Sequence, residues 1–410
     1  MSRRTPRFSA HYGWTIVLAG YLTLFACLGL ARFAYGMLLP GMRADLGFGY
    51  DRMGLISTGN FVGYLVSVAL VPRLLHQFRP RITITAGLAL IAACMLAVGA
   101  SRDFAVILCL YALVGFGSGL ANIPAMVLVS HWFRRSHRGR AAGLMIAGNG
   151  SAIILTGFLV PLLNRAFGAA GWRVGWLVLG GIAALIALLA AWLLRNTPSE
   201  LGLEPVGRPE PAGAGRPAAE KAGGGLLLLK LGGLYLVFGA TYMVYGTFIV
   251  SSMVEEYGLS ETKAGFFWSW VGLLSIFSGI LFGVLSDRIG RRAGLAAVFL
   301  VQSCAYLLAG SGLGTPALFL SVLLYGLAAF AIPTIMAAAV GDYFGLQRAA
   351  KVFSLVTFFF AAGQTVGPGS AGVLADHLGS FAPAYLASAG LTGLAMVLCR
   401  LLPAARKTVG

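Results

Sequence analysis

Charge is what this chain has least of. Only 10% of its 410 residues are Asp, Glu, Lys or Arg. A soluble domain carries about 25%, so water is not the main solvent here. Acid is scarcer still. The 13 Asp and Glu stand against 30 Lys and Arg, and every carboxylate falls in a loop or at the end of an apolar stretch. That placement disfavours proton coupling through a buried carboxylate, although Asp51, Glu255 and Glu256 remain available to an outer vestibule. The histidines His11, His76, His131, His137 and His377 also sit at stretch ends, which leaves no midplane proton relay. The five cysteines all lie inside apolar stretches, so neither a disulfide frame nor a metal site is expected. No acid, base and nucleophile converge in the apolar stretches, and neither enzyme chemistry nor a cofactor is expected.

What is present is hydrophobic length. Apolar stretches run over 14–40, 53–72, 82–101, 104–133, 141–164, 174–194, 231–254, 264–286, 293–313, 315–341, 352–375 and 378–399. Each has about the 20 residues that a helix needs to cross a ~30 Å hydrocarbon core. Lipid cannot satisfy backbone N–H and C=O groups, so helices are expected; barrel strands would be shorter and alternating. The prediction is an all-α membrane protein with twelve transmembrane helices. Its net charge of +17 is unevenly spread. With the N-terminus on the cytoplasmic side, 23 Lys and Arg fall on that side, 6 on the other, and Arg32 is the remaining one. This is the positive-inside pattern, with both termini cytoplasmic. The basic excess then faces anionic lipid headgroups, not nucleic acid. Ser2-Arg3-Arg4 bears a faint likeness to a twin-arginine export signal, but eleven further stretches follow, so it reads as a cytoplasmic flank. With 25 Arg against 5 Lys and much Ala and Gly, a bacterial source and an inner-membrane location are expected.

Residues 196–225 interrupt the pattern with Pro, Gly, Ala and mixed charge, a linker composition. They divide the chain into a six-helix half at 1–195 and another at 226–410. The halves are similar. Ala34-Tyr35-Gly36 matches Val244-Tyr245-Gly246 at an offset of 210, and Asp45-Leu46-Gly47 matches Glu256-Tyr257-Gly258 at 211. On that register Arg32 aligns with Tyr242. Two pseudo-symmetric halves predict a site between them, near the midplane. Gly143, Gly148, Gly150 and Gly157 before Pro161, and Gly363, Gly367, Gly369 and Gly372 around Pro368, mark two helices for close packing, flexing, or both.

Arg32 is the only charged residue deep inside any stretch. A charge there costs several kcal/mol unless it is paired or hydrated, which makes it a candidate site. It lies ~7 Å outward of the middle of its helix, so snorkelling to the headgroups is one alternative. The other is a wet cavity in which the guanidinium grips an anion bidentately. No apolar stretch contains a carboxylate partner, so the partner is expected to be the cargo. Tyr35 follows Arg32 at i+3; Tyr242 and Tyr245 repeat that spacing; Asn60, Tyr64 and Ser67 form an i, i+4, i+7 stripe. Asn122, Asn149 and Gln364 are further buried amides, each as apt to join helices as to touch a ligand. Candidate binding residues are therefore Arg32, Tyr35, Asn60, Tyr64, Asn122, Asn149, Tyr242, Tyr245 and Gln364. Trp268 and Trp270 are as well suited to an interfacial belt as to a site.

Gly283-Val284-Leu285-Ser286-Asp287-Arg288-Ile289-Gly290-Arg291-Arg292 resembles the G-x-x-x-D-R-x-G-R-R loop signature of the major facilitator superfamily. The equivalent loop of the first half, Pro72-Arg73-Leu74-Leu75-His76-Gln77-Phe78-Arg79-Pro80-Arg81, departs from it, with His76 in place of the acid. The resemblance implies a cytoplasmic gate built from Gly283, Asp287, Arg288, Gly290 and Arg291, with Asp287 meeting Arg140 when that side closes. His11-Tyr12-Gly13-Trp14, Trp132-Phe133-Arg134-Arg135-Ser136-His137-Arg138-Gly139-Arg140 and Thr197-Pro198-Ser199-Glu200-Leu201-Gly202-Leu203-Glu204-Pro205 are similar to segments of monocarboxylate and oxalate/formate-type porters. Gly29-Leu30-Ala31-Arg32-Phe33-Ala34-Tyr35 with Leu38-Leu39-Pro40 is closer to the YbfB/YjiJ-like porters. Together these imply a monomeric secondary transporter that moves a small organic anion, a monocarboxylate in particular, by alternating access. The alternative is an exporter of amphipathic or aromatic compounds, for which Phe353, Phe358, Phe359 and Phe360 are the supporting residues.

Overall fold

The structure is a computed structural model and describes residues 11–207 and 224–403. Ser2-Arg3-Arg4, Arg7, Arg208, Arg216, Lys221, Arg406 and Lys407 lie outside those residues. Eleven apolar helical runs are long enough to cross a membrane, and one of them, Ser136–Leu193, is two helices. The twelve spans are Gly13–Leu46, Tyr50–Gln77, Pro80–Ala100, Phe104–Trp132, Arg135–Phe167, Gly171–Leu193, Gly225–Glu256, Glu261–Ile289, Arg291–Gly310, Thr315–Phe344, Leu346–Leu378 and Ala382–Leu401. They are numbered 1 to 12 in that order. The turn between spans 5 and 6 is a single 3-10 turn, Gly168–Ala170, opened by Gly168 at φ +57°. Among the described residues there is no strand, only one bridge between Phe133 and Val206.

The two halves pack alike. Spans 1 and 5, 2 and 4, 3 and 4, and 3 and 6 touch in the first half; spans 7 and 11, 8 and 10, 9 and 10, and 9 and 12 repeat the scheme in the second. Small residues make these crossings possible. A Cβ on Gly63 would overlap the Ala112 carbonyl oxygen, and one on Gly363 would overlap that of Leu236.

Among the described residues, the contacts found between the halves run from mid-span to the end of the bundle away from the termini. Span 2 meets span 11 through Gly54 with Pro368, Tyr50 with Gly372, and the hydroxyl of Thr58, which donates to the Thr365 carbonyl at 2.9 Å. Span 5 meets span 8 through Gly150 with Gly272, Gly157 with Gly265, and Asn164 Nδ2, which donates to Glu261 at 2.8 Å. Arg43 of span 1 reaches Glu255 of span 7 at 2.5 Å, and the Tyr50 hydroxyl joins the same carboxylate. Toward the end that carries the termini, the pairs Asp287–Arg291 and Arg291–Asp342 stay within the second half, and Arg79–Glu200 and Arg134–Glu204 within the first. The bundle is thus sealed at one end and splayed at the other.

The segment read as a linker, 196–225, is described only in part. Residues 196–207 dock on the first half. Asn196 accepts from the Arg81 backbone N–H at 2.9 Å and donates to Glu200 at 3.0 Å. Val206 exchanges backbone hydrogen bonds with Trp132 and Arg134. Residues 208–223 lie outside the described chain. Asn196 and Glu200 find partners that a Pro/Gly count does not foresee.

Candidate functional site

Arg32 is held by an irregular piece of span 1. Gly13–Leu24 and Ala34–Leu46 are α-helical, but Phe25–Phe33 between them is a π-helix. Such wide turns are rare and frequently mark functional sites. The guanidinium carbon lies 4.0 Å from the centre of the Tyr64 ring and 5.3 Å from that of Phe61. Tyr64 is itself fixed, because its hydroxyl accepts from Asn122 Nδ2 at 3.1 Å and its carbonyl accepts from the Ser67 hydroxyl at 2.7 Å. Nε and Nη2 of Arg32 are buried with no hydrogen-bond partner. These two donors form one edge of the guanidinium, the edge that matches the two oxygens of a carboxylate. Among the described residues no ion pair includes Arg32.

The surroundings come from both halves. Phe33 touches the rings of Tyr242, Trp268 and Phe330. Trp268 is fully buried with its indole N–H unpartnered, whereas Trp270 lies among Phe266 and Phe319. Only the former sits at the centre. Asn149 is buried with a free Oδ1, next to the backbone of Gly29. Gln364 is fully buried with neither amide atom bonded. It sits on span 11 between the face that packs on span 7 (Gly363, Gly367) and the face that packs on span 2 (Thr365, Gly369). At 100° per residue that position points to where spans 2, 7 and 11 meet.

Three candidates are used differently from expectation. Tyr35 does not face the guanidinium: its hydroxyl donates to the Met53 carbonyl at 2.8 Å and its ring stacks on Tyr111. Tyr245 is bonded to Ser321 at 2.8 Å and stacked on Tyr325 inside the second half. Asn60 spends its amide N–H on the Tyr111 carbonyl at 3.1 Å, leaving only Oδ1 free. Arg32 and Tyr35 share the i+3 spacing but take different partners, the Tyr64 ring and the Met53 carbonyl. Two residues escaped the sequence reading. Tyr111 donates to the Ala31 carbonyl at 3.0 Å. Tyr235 stacks on Phe360 and Phe238. A tyrosine in an apolar helix is the only signal that either gives. Of the phenylalanines on span 11, Phe360 is stacked on Tyr235 and Phe238, Phe359 lies over Gly232, and Phe358 is exposed.

At the splayed end, Asp287 pairs with Arg291 at 2.5 Å, and Arg291 also binds Asp342 of span 10 at 2.6 Å. Gly290 makes the turn at φ +93°, a conformation that favours glycine. Gly283 is in van der Waals range of Thr334, and Arg288 is exposed. Arg140 stands over Trp14 at 5.7 Å, not against Asp287. The halves are apart at this end, so the expected pair is not made in this conformation. In the first half, Arg79 finds its carboxylate in Glu200 at 3.6 Å, from the docked segment after span 6, where His76 cannot supply one.

Comparisons with known proteins agree with this architecture. The family described as "Uncharacterised MFS-type transporter YbfB" matches residues 24–400. Monocarboxylate transporter 12 of Xenopus laevis is 25% identical over 318 residues, 71% of this chain and 66% of that protein. A probable hexose phosphate transport protein of Chlamydia muridarum is 23% identical over 293 residues, 65% of this chain and 63% of its own length. The matches therefore span about two thirds of these relatives. A bacterial homologue of the human lysosomal transporter Spinster, in an inward-facing and unoccupied conformation, superposes with a TM-score of 0.72 at 14% identity, covering 96% of both chains.

Proposed function

This chain belongs to the YbfB-type family of major facilitator superfamily transporters, and on that premise we propose that it carries a small monocarboxylate, with Arg32 as the anion-binding group. The observation that carries this reading is the buried, unpartnered Nε–Nη2 edge of Arg32, whose guanidinium carbon lies over the Tyr64 ring. A buried guanidinium without an acceptor is costly, and a bound carboxylate would relieve it. One arginine, with every other Lys and Arg at a span end or in a loop, suits a monoanion better than a doubly charged phosphate ester. Asn149 Oδ1, Asn60 Oδ1 and the Gln364 amide add neutral contacts for the remainder of the cargo. The relatives named for monocarboxylates and hexose phosphates both handle anions by name.

The charge bias favours the cytoplasm for the splayed end; on that reading this is an inward-open form, and the Arg-, Ala- and Gly-rich composition favours a bacterial inner membrane. Alternating access would then close that end by bringing Asp287 of the Arg291 cluster toward Arg140 and would break the Arg43–Glu255 link at the other. Phe359 and Phe360 of span 11 pack on span 7 and Phe358 is exposed, so these three give the amphipathic-export reading no support. Counterflow into proteoliposomes tests the proposal, with labelled propionate and benzoate as probes. Saturable exchange of unaltered carboxylate is expected for the native protein and none for Arg32→Gln at equal incorporation. Equal exchange by both proteins would sink it.

A further inference from the structure

A π-helix must be held open by its neighbours, since each of its turns packs an extra residue into a wider, weaker ring of hydrogen bonds. The segment Phe25–Phe33 is held from two sides. Toward span 5, Gly29 lies so close that a Cβ there would overlap the Cβ of Ala152. Toward span 4, Tyr111 donates its hydroxyl to the Ala31 carbonyl at 3.0 Å, with the Arg32 carbonyl at 3.5 Å. Tyr111 is in turn immobilised. It is buried, its ring is stacked on Tyr35 with centres 4.9 Å apart and edge-on to Trp176 at 5.7 Å, and its carbonyl accepts from Asn60.

We propose that Tyr111 is a positioning residue for anion binding: its hydroxyl locks the π-turn, and the π-turn sets the direction in which Arg32 presents its free edge. Adding or removing one residue within a helix rotates everything beyond it by about 100°. Relaxation of the segment to regular α-helix would therefore swing Arg32 off the Tyr64 face, although no atom of Arg32 itself had lost a partner. The second half makes the corresponding contact on regular α-helix, Gly225–Ser251, and without the charge. Tyr325 donates to the Tyr242 carbonyl at 2.9 Å and stacks on Tyr245 with centres 4.1 Å apart. The carbonyl held there belongs to the residue that aligns with Arg32. The inference rests on Arg32 being the anion-binding group.

The test is Tyr111→Phe in purified full-length protein, in native and Arg32→Lys backgrounds. Two quantities are measured: hydrogen exchange resolved to residues 25–36, and propionate and benzoate affinity. The expected result is faster exchange confined to 25–36. With it goes about tenfold weaker binding in the native background, the scale of one lost hydrogen bond, and no further weakening in Arg32→Lys, as coupling through one residue requires. Unchanged exchange in 25–36 overturns the proposal, as does faster exchange spread over spans 2, 4 and 6. Equal loss of affinity in both backgrounds overturns it as well. If the native protein binds neither carboxylate, the monocarboxylate reading fails, while the exchange measurement still decides whether Tyr111 holds the π-turn.

Discussion

The guanidinium carbon of Arg32 lies over Tyr64, 4.0 Å from its ring centre, and the hydroxyl of that tyrosine is held by Asn122. The pairing explains how a cation is tolerated between apolar helices without a carboxylate. The ring face offers a cation–π contact of about 0.5–2 kcal/mol, which offsets part of the desolvation and leaves the edge of the fork unused. A carboxylate in place of Tyr64 would have neutralised Arg32 permanently and removed its capacity to bind.

Arg32→Lys keeps the charge and loses the planar fork. Carboxylate affinity is expected to fall about tenfold or more, since two charge-assisted hydrogen bonds become one at best. Arg32→Gln is expected to bind no carboxylate and to melt higher than the native protein in detergent, because an uncompensated buried charge has gone. Isothermal titration and thermal unfolding of the three proteins measure both effects. A lower melting temperature for Arg32→Gln would mean that the guanidinium stabilises the fold.

Asp287→Asn removes one of two carboxylates from Arg291 and leaves Asp342 in place. Membrane insertion is expected to stay near normal and transport to be lost, with the conformational balance displaced. Double electron–electron resonance between labels on exposed positions of spans 5 and 8 at the cytoplasmic end reads that balance. An unchanged distance distribution together with native turnover would reduce Asp287 to a topological loop residue.

Glu255 accepts both Arg43 and the Tyr50 hydroxyl across the sealed end. These groups are partly exposed, with side-chain accessibilities of 34% for Arg43 and 25% for Glu255, so the link is modest and screened by salt. Glu255→Gln is expected to increase the outward-open population without destabilising either half. Labelling rates of a cysteine placed at Ser57, beneath the seal where it touches Thr247, would rise from the outside. A rate equal to that in the otherwise native protein would place the seal elsewhere.

Ser199 is exposed on the docked segment after span 6. If the basic end is cytoplasmic, a Ser199→Cys variant is expected to resist membrane-impermeant maleimide added to intact cells and to react after lysis. Reaction before lysis inverts the orientation.

The spans, their number and the division into halves are legible in the sequence because lipid imposes a length and a composition on every crossing helix. Arg32 is legible for the same reason, as the one residue that violates the rule. Which way a side chain points is not. Helices that are apolar all round carry no amphipathic stripe, so Tyr35 and Tyr245 looked like neighbours of the site although both are tied to partners in their own halves, Met53 and Ser321. The π-helix at Phe25–Phe33 leaves no mark in residue type and shifts every spacing that crosses it. Glu200 illustrates the complementary failure. It stands in a Pro- and Gly-containing segment, yet it pairs with Arg79 and caps Asn196, contacts made by tertiary approach alone.

An arginine that is neutralised only by its cargo makes the empty and loaded carriers electrically unequal. With a monoanion in the fork, the middle of the protein is neutral; without one, it holds a full positive charge. A membrane voltage acts on such a charge with ~2.3 kcal/mol per 100 mV for a complete crossing. It therefore acts on the return of the empty protein and leaves the loaded step alone, in proportion to the share of the field that Arg32 traverses. A potential negative on the cytoplasmic side draws the vacant Arg32 inward and populates the form open to the cytoplasm, and the voltage dependence of moving a monoanion is carried by the return of a residue that never leaves the protein.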